Sequence, residues 1–528
     1  MTLTAPQAPS ALRVHPSDTV AVAVRAMEAG ESVRLGPEAE GLVLREAIPA
    51  GHKLALRPHA PGEPVIKYGF PIGRASGRIA PGEWVHSHNL ATALSGDADV
   101  SSVRPKPLTE TLAALPDPGP EPTWEGFVRE DGRVGTRNEL WVLNTVGCVN
   151  RAAERIARTI DRRYGPEGEG VIDGAHAFAH PFGCSQLGGD HARTRDLLAV
   201  LTRHPNCGGA VVLGLGCENN QLAAFLDAAD PDGSRREAGR LESFVAQLVG
   251  DEIETGIEAA EQIVARMRED RRETVPAHRL VLGVKCGGSD GFSGVTANPL
   301  LGRLADRWTA WGARVLQTEV PEMFGAEAVL LERAASGEVF DQTVDLVQRF
   351  RDYFVAHDQP VYENPSPGNK DGGLTTLEEK SLGAIQKGGR APVAEVLGYA
   401  QTASVPGTTT DFAFAGGLGL IESPGNDGVS CTALTASGAT VLLFTTGRGT
   451  PLGFPAPTVK VATNPTIAEH KPHWIDFGAG DLLTGDADMD ALADRLTASV
   501  LEIASGRRTN NETNDYREIA IWKGGVTL

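Results

Sequence analysis

Four cysteines fall where strands of a parallel sheet would end. Cys148 follows the run LWVLNTVG, Cys217 follows VVLGLG, Cys286 follows VLGVK, and Cys184 lies in HAFAHPFGCSQLGGDH. In open parallel sheets, ligands bind beyond the carboxyl ends of the strands, where loops converge. Thiolates suit soft or borderline metals, and three of them from separate strand ends could hold an iron–sulfur cluster with one iron left open. The bland alternative is a small buried apolar residue, a common fate of free cysteine. Cys207 and Cys431 are read that way.

Other side chains could join this chemistry. His86 and His88 in WVHSHN stand two apart, which on a strand puts both imidazoles on one face, able to share a metal or simply to end a surface strand. In QTEVPEMFGAE, Glu319 and Glu322 follow a strand and offer carboxylate ligands or a base; the alternative, preferred for Glu322, is acids favoured at a helix N-terminus. His176, His180 and His191 flank Cys184, and an imidazole near neutrality suits proton abstraction beside a carboxylate, with His180 best placed. Arg448 in TTGRGTPLG and Lys370 in NPSPGNK could hold a substrate carboxylate, arginine by its planar fork. No Walker A loop occurs, nor a Gly-x-Gly-x-x-Gly opening a helix, which lowers nucleotide-dependent readings.

The elements that must position these residues are of two kinds. Residues 14–90 carry short apolar runs between Gly and Pro turns, the pattern of a small β domain, expected over 14–95. A proline-rich linker is expected over 96–123. Beyond it, apolar strands alternate with helical stretches such as 152–163 and 258–271, which predicts a parallel α/β architecture. The Pro- and Gly-rich segment 362–373 either separates two lobes, 124–360 and 361–528, or forms a functional loop inside one.

At 528 residues the chain exceeds a single core, so two to four domains are expected. A net charge of -19 argues against a nucleic-acid surface, and an anionic substrate would need local positive charge. There is no apolar run long enough to span a membrane and no basic-then-apolar N-terminal stretch, so a cytoplasmic location is expected. Six cysteines are too sparse for a disulfide framework. Homo-oligomerisation is left open.

The ordered set IKYGFPIG, VHSHN, VGTRNELWVLNTVGCVN, GCSQLGGDH, GLGCENNQ, CGGSDGFSGVTANP, TEVPEMFGAE, HDQPVYENPSPGNK, TTGRGTP and NDYREIAIWKGGVTL resembles the altronate and galactarate dehydratase family, on its altronate branch, over residues 14–528. The resemblance implies an N-terminal SAF-type β domain, a larger dehydratase core, and iron(II)-dependent removal of water from D-altronate to give 2-dehydro-3-deoxy-D-gluconate. On that footing His180 and Glu319 are the catalytic candidates, and Arg448, Lys370, Ser289 and Asp290 the substrate-binding ones. Cys148, Cys184, Cys217, Cys286, His86 and His88 are candidate ligands for iron, as a mononuclear ion or a cluster, with manganese as a substitute. The competing readings are a dehydratase for galactarate or another sugar acid, and a sugar-acid binding protein without catalysis.

Overall fold

A computed structural model describes residues 9–35, 41–94, 100, 102–404 and 416–528. Residues 95–99 and 101 of the expected linker lie outside them.

The N-terminal unit is built of short antiparallel strands. Ala11–Leu12, Val20–Ala23, Lys53–Ala55 and Trp84–Val85 form one sheet, and Pro64–Lys67, Phe70–Ala75 and Leu90–Ala91 another. In the second, Lys67 pairs with Phe70 across a two-residue turn whose residues, Tyr68 and Gly69, have φ of 61° and 81°. Positive φ at both positions gives the turn a twist that matches the flanking strands.

Two parallel sheets follow. The smaller runs Gly174–Ala177, Glu139–Asn144, Cys207–Gly214, Leu241–Val245 in spatial order. It is flanked by amphipathic helices such as Asn150–Tyr164, which turns Ala153, Ile156, Ala157 and Ile160 inward at helical spacing. The larger has seven strands in the order Val393–Leu397, Gly417–Ile421, Arg314–Gln317, Leu282–Cys286, Val441–Thr446, Thr458–Ala462, Phe477–Gly478. The central strands are wholly buried, as expected of a parallel sheet covered on both faces.

The division between the α/β units therefore falls between residues 245 and 282, where Glu273–Pro276 pairs with Thr123–Val128, and not at 360. Segment 362–373 is a loop inside the larger unit. Its prolines and glycines shape that loop and mark no boundary.

Both sheets point the same way. Thr136, just before the Glu139 strand, gives its hydroxyl to the carbonyl of Thr440, just before the Val441 strand, at 3.0 Å. His204, after the helix Gly188–Leu201, bonds the carbonyl of Ala439, after the helix Asp427–Ala436, at 3.1 Å. The two helices thus pack with matching ends level, and the carboxyl edges of both sheets open on one side.

Buried charges lock the units together. Arg137 grips Glu512 through two N–H groups at 2.7 and 2.9 Å, and Arg517 donates to Glu139 at 2.7 Å, which joins the TRNEL and NDYRE motifs. Glu379 of the large unit accepts from Lys53 and Lys67 of the N-terminal unit, both at 2.8 Å, with all three side chains at most 1% exposed. Burial alone would raise the Glu379 carboxyl, yet the two ammoniums hold it down at about 2. Burial likewise opposes ionisation of Glu512, which Arg137 keeps at about 2.

These carboxyls sit below their unfolded value of 4.5, so their stabilisation is fully present above that pH and is lost as pH falls toward 2. Each contributes on the order of 3 kcal/mol. Melting temperature should therefore fall steeply between pH 4.5 and 3. Glu379→Gln should lower it at pH 7 by removing about 3–5 kcal/mol and should flatten the acid response. An unchanged acid response in that variant would show that Glu379 does not carry it.

Candidate functional site

The strand Leu282–Cys286 lies at the centre of the large sheet, next to the point where the strand order reverses direction. Its end feeds a buried chain of charges. Lys285 gives its ammonium to Glu319 and pairs with Asp427 at 2.9 Å. Lys387 donates to Glu319 and to the Cys286 sulfur, both at 2.9 Å. Lys380 pairs with Glu322 at 2.9 Å and donates to Asn369 at 3.2 Å.

Lys285, Lys387, Glu319 and Glu322 are at most 4% exposed, whereas the Asp427 side chain is 35% exposed. Asp427 is thus where the chain meets solvent. Three ammoniums face three carboxylates, so the cluster balances without a further ion.

Burial opposes the charge on Lys285, but Glu319 and Asp427 raise it well above the ordinary lysine value. Lys387 is raised likewise, through Cys286 and Glu319 against burial. Cys286 is pushed up to about 12 by burial first and by Glu319 next, so it keeps its proton. Glu322, which burial would raise, is held at about 2 by Lys380, Lys285 and Lys387. Glu319 adopts φ 71°, ψ 49°, a left-handed conformation costly for a side chain of this kind. Such strain persists only where surrounding contacts enforce it, and two ammoniums do so here.

The glycines after Cys286 form a floor over this chain. A Cβ on Gly287 would lie 2.6 Å from the Asp427 carboxylate and 2.4 Å from the Phe444 ring. Gly288 has φ 63°, and a Cβ there would lie 3.1 Å from Thr446 and 3.6 Å from Arg448. Asp427 and Arg448 therefore flank consecutive glycines. Gly287→Ala should displace Asp427 and leave the circular dichroism spectrum unchanged; a crystal structure of that variant with the Asp427 carboxylate unmoved would contradict the placement.

Arg448 is exposed and donates to the Gly368 carbonyl at 3.0 Å. Lys370 is half-buried two residues on, in the short helix Pro367–Asp371. His86 donates through Nε2 to the Lys370 carbonyl at 2.9 Å, and His52 to the Asp371 carbonyl at 3.2 Å. Burial lowers both imidazoles, His52 to about 4, which keeps them neutral and suited to this docking.

His86 thus ties the N-terminal unit to the Lys370 loop, and exposed His88 rests against Trp84 with ring centroids 5.5 Å apart. The expectation for Asp290 is corrected. Its carboxylate accepts from Thr463 at 2.9 Å and from Asn464, Ser293 and the Phe292 amide at 3.0–3.1 Å, so it staples two loops. Ser289 is buried beside it, its carbonyl taken by Asn369 at 2.9 Å.

His180 belongs elsewhere. It is 3% exposed in the smaller unit, donating through Nε2 to the Asn144 carbonyl at 2.8 Å and accepting at Nδ1 from the Phe182 amide at 3.2 Å. Neither nitrogen is free to take a substrate proton, which corrects the expectation of a base there. Cys148, Cys184 and Cys217 share that unit's carboxyl edge and do not join Cys286. Among the described residues, the set of three donor atoms within 4.8 Å of one another is Cys286, Glu319 and Glu322, a site that a metal could occupy.

Three sequence-family models cover nearly the whole chain: the altronate/galactarate dehydratase SAF domain over residues 9–93, the second domain of D-galactarate dehydratase/altronate hydrolase over 126–268, and the C-terminal domain of D-galactarate/altronate dehydratase over 277–527. The chain belongs to the altronate/galactarate dehydratase family. Within this family it is 46% identical to the altronate dehydratase of Bacillus subtilis over 519 residues, 98% of this chain and 100% of that one. It is also 46% identical to the altronate dehydratase of Escherichia coli, over 98% and 99% of the two chains. Identity to the L-threo-forming galactarate dehydratase of Escherichia coli is 33%, over 84% of this chain and 83% of that one. The three family domains coincide with the three structural units, and the family's SAF domain is the β unit docked through His52, His86 and Glu379.

Lys387 and Asp427 were not singled out from the sequence. Asp427 follows a strand and the helix-capping Asn426, a signal of position alone. Nothing local marks Lys387, whose partners lie 68 and 101 residues away.

Proposed function

We propose that this chain is a hydro-lyase that removes water from D-altronate to give 2-dehydro-3-deoxy-D-gluconate. The observation that carries the reading is end-to-end 46% identity to two altronate dehydratases, against 33% over a shorter span to a galactarate enzyme. Assay of a panel of aldonates and aldarates for 2-keto-3-deoxy product tests it. Turnover of altronate alone or foremost is expected; turnover of galactarate without altronate would overturn the substrate, and binding without product would overturn catalysis.

The elimination removes a proton from the carbon next to the carboxylate, breaks the neighbouring C–OH bond as that hydroxyl gains a proton and leaves as water, and yields an enol that tautomerises to the ketone. Arg448 and Lys370 hold the substrate carboxylate and offset the charge that grows on it as the proton leaves. Asp427, the half-exposed carboxylate beside Gly287, takes that proton. Lys285 fixes its orientation, Glu319 fixes Lys285, and Lys387 fixes Glu319. In this assignment Glu319 is a positioning residue, because two buried ammoniums and the floor separate it from the substrate.

Iron(II) is the metal we assign to the reaction, with manganese as a substitute; when bound, it would supply Lewis-acid help to the departing hydroxyl. Cys286, Glu319 and Glu322, whose donor atoms lie within 4.8 Å of one another, are the described residues that would hold it, each carboxylate being paired with an ammonium in its absence. A cytoplasmic setting agrees with six free cysteines, and no helix of the described residues is long and apolar enough to cross a membrane.

A further inference from the structure

We propose that a cavity at the amino edge of the smaller sheet binds a phosphate dianion, free or as the phosphoryl end of a small metabolite, held by Arg203 and Arg235. The cavity measures about 260 Å³, and Arg129, Arg133, Arg203, Arg235 and Arg240 line it. Cys207, which opens the strand Cys207–Gly214, and Arg240, which precedes the strand Leu241–Val245, place it where both strands begin. The reaction site lies at the carboxyl end of the larger sheet, on the opposite side, so the two are separate.

The carboxylates around the cavity are engaged, and two guanidiniums are left over. Asp270 accepts from Arg240 through both oxygens, at 2.6 and 2.8 Å, and Asp131 accepts from Arg133 at the same two distances. Buried Asp230 turns to Arg236 at 2.9 Å and to the amides of Arg235 and Arg236 at 3.0 and 3.2 Å. Asp232 is exposed and holds the amide and hydroxyl of Ser234 at 3.1 and 2.8 Å, while Glu130 faces solvent. Arg203 and Arg235 have no ion-pair partner among the described residues. The Arg235 Nε is buried without a hydrogen-bond acceptor, and the one bond of that side chain runs from Nη2 to the Cys207 carbonyl at 3.4 Å. A buried donor left in this state calls for an acceptor.

Electrostatics agree. Burial, and then the charges of Arg133 and Arg235, lower Arg203 below the ordinary arginine value against the pull of Asp230 and Asp232. Burial likewise holds Arg129 at about 10, although Asp270 lies 3.6 Å away. In a chain of net charge -19, this cavity is short of negative charge.

The geometry selects the ligand. A guanidinium presents a planar fork that matches two oxygens of a carboxylate or a phosphate. A carboxylate brings one charge and two oxygens in a plane, enough for one fork. A phosphate monoester brings about -1.5 to -2 charges near neutrality and three oxygens in a tetrahedral array, so two forks can hold it at once. A cavity of this size admits more than the phosphoryl group, which leaves room for a small attached body.

The site also borders the joint between the two α/β units. Arg133 donates to the Arg203 carbonyl at 2.6 Å, and Arg129 to the Pro205 carbonyl at 2.8 Å. From the same loop the His204 and Asn206 side chains reach the carbonyls of Ala439 and Thr440 in the larger unit, at 3.1 and 3.3 Å. An anion in the cavity therefore stiffens the loop that joins the units.

The test reads binding and not turnover, so it stands or falls apart from the dehydratase reading. The full chain is titrated calorimetrically at neutral pH with inorganic phosphate, with glycerol 3-phosphate and with succinate, at an ionic strength held constant with chloride. Saturable binding of one phosphate or phosphate ester per chain is expected, with a melting temperature above that in chloride alone. Arg203→Gln and Arg235→Gln should each weaken binding by about 10–100-fold, as loss of a charge-assisted hydrogen-bonding fork does, with unchanged circular dichroism. Arg203→Lys, which keeps the charge and loses the fork, should recover only part of the affinity. Arg155→Gln, at an exposed position of the helix Asn150–Tyr164, should leave it unchanged. Tighter binding of the ester than of inorganic phosphate would support the proposal and assign the ligand to a phosphorylated metabolite; the reverse would support it and assign free phosphate. No saturable binding, full affinity in a folded Arg203→Gln or Arg235→Gln chain, or tighter binding of succinate than of either phosphate would each overturn it.

Discussion

Asp427→Asn is expected to lower kcat by about 10²–10⁴-fold, the range for loss of a general base, while KM for altronate changes little. The carboxylate lies 2.9 Å from Lys285, with a 35% exposed side chain, where the charge chain is most open to solvent. Arg448 and Lys370, assigned to the substrate carboxylate, are untouched by the change. The fold should survive, because Lys285 retains Glu319 as a partner. What the helix Asp427–Ala436 loses is an acid in its first turn, about 0.3–1 kcal/mol. Steady-state kinetics beside a melting curve separate the two effects. An unchanged kcat would remove Asp427 from the chemistry, and a collapsed melting temperature would make it structural.

Glu319→Gln should do the opposite: it should lose both activity and stability. Lys285 and Lys387 are fully buried and share this carboxylate, so neutralising it leaves two ammoniums without their common partner. Removing one partner of a buried ion pair costs about 3–5 kcal/mol. The left-handed backbone at position 319 adds to the sensitivity, since the contacts that enforce φ 71° are the ones removed. A second readout keeps this from being a mere folding defect. Cys286 is held at about 12 partly by Glu319, so its thiolate absorbance should appear at lower pH in the variant. Turnover within tenfold of wild type would contradict a positioning role for Glu319.

What could be read from the chain before its fold was known follows physical lines. Apolar runs ending in Gly and Cys announced parallel strands and their ligand-binding edge, because a covered parallel strand is apolar throughout and its loop is not. Four of the six cysteines, Cys148, Cys184, Cys217 and Cys286, were placed at strand ends and lie there. Two sheets, however, share one side of the molecule, so sequence order alone could not say that Cys286 stands apart from Cys148, Cys184 and Cys217. Segment 362–373 looked like a boundary because proline and glycine serve linkers and shaped loops alike; it is the loop that meets His86 and Arg448. His180 had the chemistry of a base, and only its two backbone bonds reveal a brace. Charge pairs such as Lys387–Glu319 leave no periodic trace, since they join residues that only the folded sheet brings together.

The central claim is that altronate reacts above the Gly287–Gly288 floor, between Asp427 and Arg448. A crystal structure of the Asp427→Asn chain with altronate tests it most directly. The substrate carboxylate should lie within hydrogen-bond reach of Arg448 and Lys370, with the neighbouring carbon facing position 427. Altronate bound with Arg448 and position 427 both out of reach would contradict the account.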